Sequence, residues 1–519
     1  MSDAGFERWL TITAAIEGYA LRTPGKAFYI ATDTGAELDF ATLRSQCQAL
    51  AGQFAALGFR AGDKVSVYMP NGPMAAVALL GTMAAGLVAN PINLMSQPSQ
   101  LSYVLGHSDT RLVFTTPDLH PHLQSVLKQI DREVMVVCVD ANACSFPDFS
   151  GVQSPSSPGT VGTDKVQRDD PALLMYTSGT TGVPKGVVLS HGNLLTSAVT
   201  LAREHHLGPE DRVLGSLPLY HINGLVVTLL APLVTGGSVA MTPRFSVVSF
   251  WPDAISHECT WINVVPTIVA YLLNDVSTRR PSGLERIRFC RTASAALSPD
   301  HLNAFEARFG ISVIETMGLT ETAAPVFTNP WDRSERRLGS IGRPSGAEAR
   351  IIDGEGHPLS HHEHGEIVLK GANVMQEYYK DPERTRDAFT NDGWLRTGDI
   401  GYHDEDGFYY IVGRAKELII KGGENIAPRE IDEVVIRHPS VLDAAAVGIP
   451  HPDYGQDIAV YLVLRDGAVF DHEAMRAHCL GELGRYKSPS RYVVVDELPR
   501  GPSGKVQRLK LLELQETGF

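Results

Sequence analysis

Five short segments hold most of the residues whose types and spacing could do chemistry. The run YTSGTTGVPKG, residues 176 to 186, sets Thr177, Ser178, Thr180 and Thr181 around Gly179 and Gly182, with one lysine, Lys185. Hydroxyls and unshielded backbone N–H groups bind phosphate oxygens, and the lysine adds a point charge. An ordinary Gly/Thr turn has the same composition. The spacing is not that of a P-loop, which needs Gly, four residues, then Gly-Lys and Ser or Thr. The second segment, GLTET, sets Thr320 beside Glu321. A hydroxyl next to a carboxylate suits a phosphate oxygen and a hard cation, and it also suits a helix cap. In the third, GWLRTGDIGY, Asp399 follows a glycine, as an Asx-turn residue or an acceptor for ribose hydroxyls does. The fourth, GRAKELIIKGGENIAP, has a basic entry and a double glycine. The fifth, PRGPSGKVQR, is a Pro/Gly/Ser loop carrying Lys505, which alone reads as a solvated surface lysine.

These segments need elements to hold them. ALLMYT (172–177) and KGVVLS (185–190) are apolar runs bounded by turn residues, which predicts two buried strands joined by the first loop. Ser190 and Asn193 stand where a following helix needs caps. Phe40 to Leu57 predicts an amphipathic helix ended by Gly58, and VSVYMP a short strand. Met74 to Ala89 is Ala/Gly-rich and bounded by Pro73 and Pro91, so it is expected as a helix packed in the core and not as a membrane span. A second helix–strand alternation covers residues 212–320. Alternation of this kind predicts an α/β fold with parallel strands. Residues 340–412 are β-rich with Gly-containing turns, and PREIDEVVIRH (428–438) starts a helix with proline in its first turn. The expectation is a large N-terminal domain, residues 1–413, of α/β subdomains plus a β-rich subdomain. A small α+β domain, residues 414–519, follows the boundary at Gly413-Arg414.

The bulk numbers agree with a multi-domain globular chain: 519 residues, 43% hydrophobic and 20% charged. A net charge of -14 argues against nucleic acid as a partner. Six scattered cysteines form no CxxC pair, as expected of reduced thiols in a cytoplasmic protein. The first residues, MSDAGFERWL, lack a basic-then-apolar signal pattern.

Taken together and in this order, the five segments resemble the adenylate-forming superfamily of acyl-CoA synthetases, peptide-synthetase adenylation domains and firefly-type luciferases. The resemblance spans about residues 10 to 515. It implies ATP, Mg²⁺ and coenzyme A as co-substrates and cofactor. A carboxylate attacks the α-phosphorus of ATP, giving acyl-AMP and pyrophosphate, and CoA thiol then displaces AMP.

By the same resemblance, Thr177 through Gly182 and Lys185 hold the ATP phosphates, Thr320 the α-phosphate and Glu321 the metal. Asp399 accepts the ribose hydroxyls and Arg414 lies near ribose and phosphate, with Ala295, Met317 and Gly318 on the AMP side. Lys505 bridges the carboxylate and the α-phosphate, and Lys416 is the hinge about which a mobile C-terminal domain swings. Gly422 and Gly423 border the pantetheine passage. His221, Asn223, Gly224, Val265, Ala293 and Ala323 fall at acyl-pocket positions, with His221 also a catalytic candidate. Arg244 is either a receptor for a second carboxylate or a surface residue. Many relatives carry an aromatic residue where this chain has Met317. The leading reading is an acid–CoA ligase. The alternatives are a free-standing enzyme that loads a carrier-protein pantetheine arm, and a nucleotide-binding protein without turnover. Retention of Lys505 and Glu321 speaks against the last.

Overall fold

A computed structural model describes residues 9–149, 166–177, 183–275, 280–500 and 506–514, without the side chain of Asn425. By backbone contacts the chain groups into two compact units. The first is Met1–Leu338 with Gly342–Glu348 and Lys370–Phe389, and the second is Gly339–Ile341, Ala349–Leu369 and Thr390–Phe519.

Two large sheets build the first unit. The nine-stranded sheet runs Arg343–Pro344, Ala324–Thr328, Ser312–Leu319, Phe289–Thr292, Trp261–Val264, Arg212–Gly215, Ser238–Met241, Ala27–Ala31 and Glu37–Asp39. Its strands pair in parallel from Ser312–Leu319 through Ala27–Ala31, and antiparallel at both ends. The seven-stranded sheet runs Glu377–Tyr378, Lys185–Ser190, Pro171–Thr177, Val88–Pro91, Lys64–Tyr68, Thr110–Thr115 and Met135–Cys138. The central strands are buried on successive residues, which is why they read as unbroken apolar runs.

Local chemistry accounts for the helix ends. The helix Phe40–Ala56 starts where the Asp39 side chain accepts from the Thr42 N–H, and it stops before Gly58, whose φ is 71°. The Ala-rich segment forms the helix Pro73–Ala84, buried along its whole length. A Cβ on Gly81 would come within 2.9 Å of Leu50, so glycine there lets this helix lie close to its neighbour. Among the described residues no helix is long and apolar enough to cross a membrane. Ser190 and Asn193 cap the helix His191–Glu204 reciprocally, each side chain accepting from the other's backbone N–H at 3.1 and 2.9 Å.

The second unit holds a four-stranded sheet, ordered Glu348–Ile352, Gly365–Lys370, Leu395–His403 and Tyr409–Arg414, antiparallel across its last three strands. It also holds a five-stranded sheet in which Glu424–Ile426, Ile419–Lys421, Gly455–Leu464 and Val441–His451 are neighbours and Arg491–Val494 joins Gly455–Leu464 in parallel. The helices Pro428–Ile436 and His472–Lys487 pack on this sheet, and their residues Ile431, Val435, Met475 and Cys479 share its core. By contact, the β-rich residues group with the C-terminal ones. Gly413-Arg414 therefore lies inside the second unit, as the last two residues of the strand Tyr409–Arg414.

Candidate active site

In the first unit the hairpin of Pro171–Thr177 and Lys185–Ser190 pairs Thr177 with Lys185 at its loop end, so the loop between them starts and ends on fixed strands. Ser178, Gly179, Thr180, Thr181 and Gly182 lie outside the described residues. The Lys185 ammonium sits 4.7 Å from the centre of the Tyr378 ring. The Tyr378 hydroxyl donates to Oε1 of Glu321 at 2.8 Å. Burial, then the Glu321 charge, pushes the Tyr378 phenol well above its ordinary range, so it stays a donor. The Tyr378 segment is itself tied down: Asn193 Nδ2 donates to Ala372 O at 2.8 Å and to Val374 O at 2.9 Å, and the Met375 N–H donates to Glu321 O at 2.7 Å.

Thr320 and Glu321 stand in a 3-10 turn, Thr320–Thr322, at the end of the long strand Ser312–Leu319. A Cβ on Gly318 would lie 2.3 Å from Ala324 O, so only glycine fits. After the turn, Ala323 and Ala324 both adopt positive φ, 55° and 99°. That is a strained conformation for alanine, costing about 1–3 kcal/mol each. Thr322 holds the turn: its hydroxyl accepts from the Leu319 N–H at 3.1 Å and donates to either Leu319 O or Ala324 O, while Ser197 Oγ donates to Thr322 O at 3.0 Å. The Thr322 side chain thus does the capping, and Thr320 is half-buried beside it. Met317 pairs with Phe327 across the sheet and is half-buried.

A polar cluster lies inside the parallel sheet. Asn263 and Arg291 are register partners on adjacent strands. Arg291 is 1% exposed, and its Nη1 donates to Asn223 Oδ1 and to Asn263 Oδ1, both at 2.8 Å. Its Nε is buried without a hydrogen-bond partner. Burial pushes its pKa down to about 9, with Cys290 opposing. Asn223 Nδ2 donates on to Ser294 Oγ at 3.2 Å, and Ser294 has a φ of 77°. Asn223 and Gly224 lie in a short helical turn that runs into a buried π-helical stretch, Leu225–Leu230. A Cβ on Gly224 would meet Pro218 O at 2.1 Å. His221 stands half-buried just before this turn, with Tyr220 at 4.9 Å ring to ring. Val265 is half-buried, Ala293 and Ala323 are buried, and Ala295 and Arg244 are exposed.

In the second unit Asp399 and Arg414 face each other across two strands, with Arg414 Nε 2.9 Å from Asp399 Oδ1. Thr397 fixes the turn before Asp399, accepting from its N–H at 3.0 Å and donating to Ile367 O at 2.7 Å. Lys416 is exposed in the turn that leaves the strand, where the N–H groups of Glu417 and Leu418 donate to Arg414 O. Gly422 and Gly423, at φ 54° and 87°, are the two central residues of the hairpin joining Ile419–Lys421 to Glu424–Ile426. A tight turn of this hand needs positive φ at both, which accounts for the double glycine independently of any ligand. Lys505 lies outside the described residues. Just beyond it, Arg508 donates through Nη1 to Ala446 O at 2.8 Å, pairs through Nη2 with Asp432, and sets Nε 3.5 Å from Glu417 beside the expected hinge.

Residues 16–379 match the AMP-binding enzyme family, and residues 430–505 match the AMP-binding enzyme C-terminal domain. The chain belongs to the AMP-binding enzyme family. It is 58% identical over 502 residues to a sulfoacetate–CoA ligase of Cupriavidus necator, covering 97% of both chains. An oxalate–CoA ligase of Arabidopsis thaliana is 34% identical over 459 residues, covering 87% of this chain and 88% of that one. The fold matches ATP-bound MatB from Rhodopseudomonas palustris with a TM-score of 0.88 at 30% identity, covering 98% and 99% of the two chains. It also matches o-succinylbenzoate CoA synthetase from Bacillus subtilis in complex with its acyl-adenylate, with a TM-score of 0.84 at 32% identity, covering 96% and 97%. This AMP-binding enzyme is an adenylate-forming acid–CoA ligase that uses ATP, Mg²⁺ and CoA.

The residues present in this AMP-binding enzyme fit the metal. Glu321 spends one oxygen on Tyr378 and keeps the other, and Thr320 beside it in the same 3-10 turn adds a hydroxyl, oxygen donors of the kind Mg²⁺ takes. Three contributors were not read from the sequence. Tyr378 and Arg508 act through partners far away in the chain. Arg291 left a trace in FCRTASA, as the single charge in an apolar strand.

Proposed function

We propose that the acid is a short carboxylate bearing a second negative group, sulfoacetate foremost. The observation that carries this is the 58% identity, over nearly the whole of both chains, to a sulfoacetate–CoA ligase. The electrostatic problem is then severe, because a doubly charged acid must approach a polyanionic nucleotide. Fixed cations and donors in a drier cleft overcome that repulsion better than water does.

In this reading Thr177, Ser178–Gly182 and Lys185 hold the β- and γ-phosphates, which leave as pyrophosphate. Thr320 donates its hydroxyl to the α-phosphate. Glu321, oriented by Tyr378, would hold Mg²⁺, which supplies neutralising charge to the phosphates. Asp399, steadied by Arg414, accepts the ribose hydroxyls, and Gly318 lets the backbone lie flat beside AMP with Met317 against the base. Lys505 steadies both the attacking carboxylate and the α-phosphate, where negative charge grows. For the second step the residues after the Lys416 hinge change role: Lys505 withdraws, and Gly422-Gly423 flank the incoming CoA thiol. His221 borders that passage. We place the reaction in the cytoplasm, where ATP and CoA are supplied.

Pyrophosphate release measured across diverse acids, with and without CoA, tests the reading. Sulfoacetate should give the highest kcat/KM, and sulfoacetyl-CoA should form with free CoA. Preference for a long-chain or aromatic acid over sulfoacetate would overturn the choice of acid.

A further inference from the structure

We propose that Arg291, presented by Asn223 and Asn263, is the receptor for the second negative group of the acid, the sulfonate of sulfoacetate. This rests on the reading that the acid is short and doubly charged.

A guanidinium inside a parallel sheet is costly unless an anion accompanies it, since moving a charge out of water costs several kcal/mol. Here the expected carboxylate is missing among the described residues. Two neutral amide oxygens take Nη1, Nε has no hydrogen-bond partner, and Cys290 and His205 are titratable groups that interact with it. Burial and Arg291 itself keep His205 neutral, with a pKa pushed down to about 3. The buried cluster therefore carries one positive charge with no carboxylate bonded to it among the described residues, and an Nε without a hydrogen-bond partner. Arg291 is not remote from the acyl side. Asn223 links it to Ser294, in the turn that follows its own strand, and Ala293 in that turn falls at an acyl-pocket position.

The geometry of the ligand fits the donor. A guanidinium presents a planar fork of N–H groups that suits an oxyanion such as sulfonate, and it stays charged where a lysine would lose its proton. Asn223 and Asn263 hold the fork from one side, leaving Nε for the ligand. Arg244, the other arginine considered for this role, is exposed. A monoanionic acid of the same length, such as acetate, would leave the charge unpaired, so the pocket would reject it.

The test compares sulfoacetate with acetate in wild type, Arg291→Gln and Arg291→Lys, measuring kcat/KM for pyrophosphate release, thermal midpoints, and acid binding by calorimetry in the presence of a non-hydrolysable ATP analogue. Wild type should prefer sulfoacetate. Arg291→Gln should lose about 30- to 3,000-fold in kcat/KM for sulfoacetate, mostly through KM, while acetate turnover holds or rises. Arg291→Lys, which keeps the charge without the fork, should recover part of the preference and serves as the readout if the glutamine variant does not fold. A wild type that prefers sulfoacetate, with variants that keep the same preference or lose both acids equally, overturns the role of Arg291 alone. A wild type indifferent to the sulfonate overturns the reading of the acid, and this proposal with it.

Discussion

The Tyr378 hydroxyl lies 2.8 Å from Oε1 of Glu321, on a segment 57 residues downstream, and the Lys185 ammonium lies 4.7 Å from the same tyrosine ring. One phenol thus touches both the carboxylate proposed for the metal and the lysine proposed for the phosphates. Glu321→Gln keeps the acceptor but removes the charge. It should raise the Mg²⁺ concentration needed for half-maximal rate and lower adenylation about 100-fold or more. Tyr378→Phe removes one hydrogen bond and should cost only about 5-fold. Steady-state rates over a Mg²⁺ titration separate the two, and an unchanged Mg²⁺ dependence in Glu321→Gln would contradict the ligand role.

Lys505 is assigned to the first half-reaction only. Lys505→Ala should lower acyl-adenylate formation by about 100- to 1,000-fold, the scale of removing one transition-state donor, and leave CoA transfer from supplied sulfoacetyl-AMP nearly intact. Equal loss of both half-reactions in single-turnover assays would count against it.

The double glycine has two explanations that a substitution can part. Gly422→Asn preserves a turn that accepts Asn-Gly, so the thermal midpoint should shift little, by about 0.5 kcal/mol or less in stability. A Cβ there would approach the Tyr486 hydroxyl to 3.3 Å, and a larger side chain narrows any passage beside the hairpin. CoA transfer should slow while adenylation holds. If both rates hold, the glycines serve the hairpin alone.

Acid sensitivity follows from two buried histidines of the first unit. Burial pushes His191 down to about 4 and His205 to about 3, from an ordinary value near 6.5. The unfolded chain then binds more protons than the folded one between those values, so stability is full above pH 6.5 and falls as pH drops through this window. Each histidine should cost about 2 kcal/mol between pH 6.5 and 5. His205→Gln should lower the midpoint at pH 7 yet flatten its decline toward pH 5. A decline as steep as wild type would refute the contribution of His205.

Much of this was legible in the sequence because it is local. Ser190 and Asn193 cap a helix three residues apart, Gly58 ends one, and Thr177 and Lys185 close a hairpin whose two apolar strands announce it. GLTET read as a capping turn or a ligand turn, and the structure gives the capping to Thr322 and not to Thr320. What stayed hidden is non-local. Arg291 gains meaning only when parallel pairing sets it beside Asn263, and the helical turn brings Asn223 to both. Arg508 reads as one more base in a loop until Asp432 and Ala446 converge on it from another helix and strand.

The central claim is that the acid's carboxylate attacks the α-phosphorus of ATP and only then meets CoA. Mass spectrometry of a turnover mixture made with sulfoacetate labelled in its carboxyl group with oxygen-18 tests this directly. The prediction is one labelled oxygen in AMP and the other retained in the thioester, with pyrophosphate unlabelled. Unlabelled AMP, or label in pyrophosphate or inorganic phosphate, would contradict it.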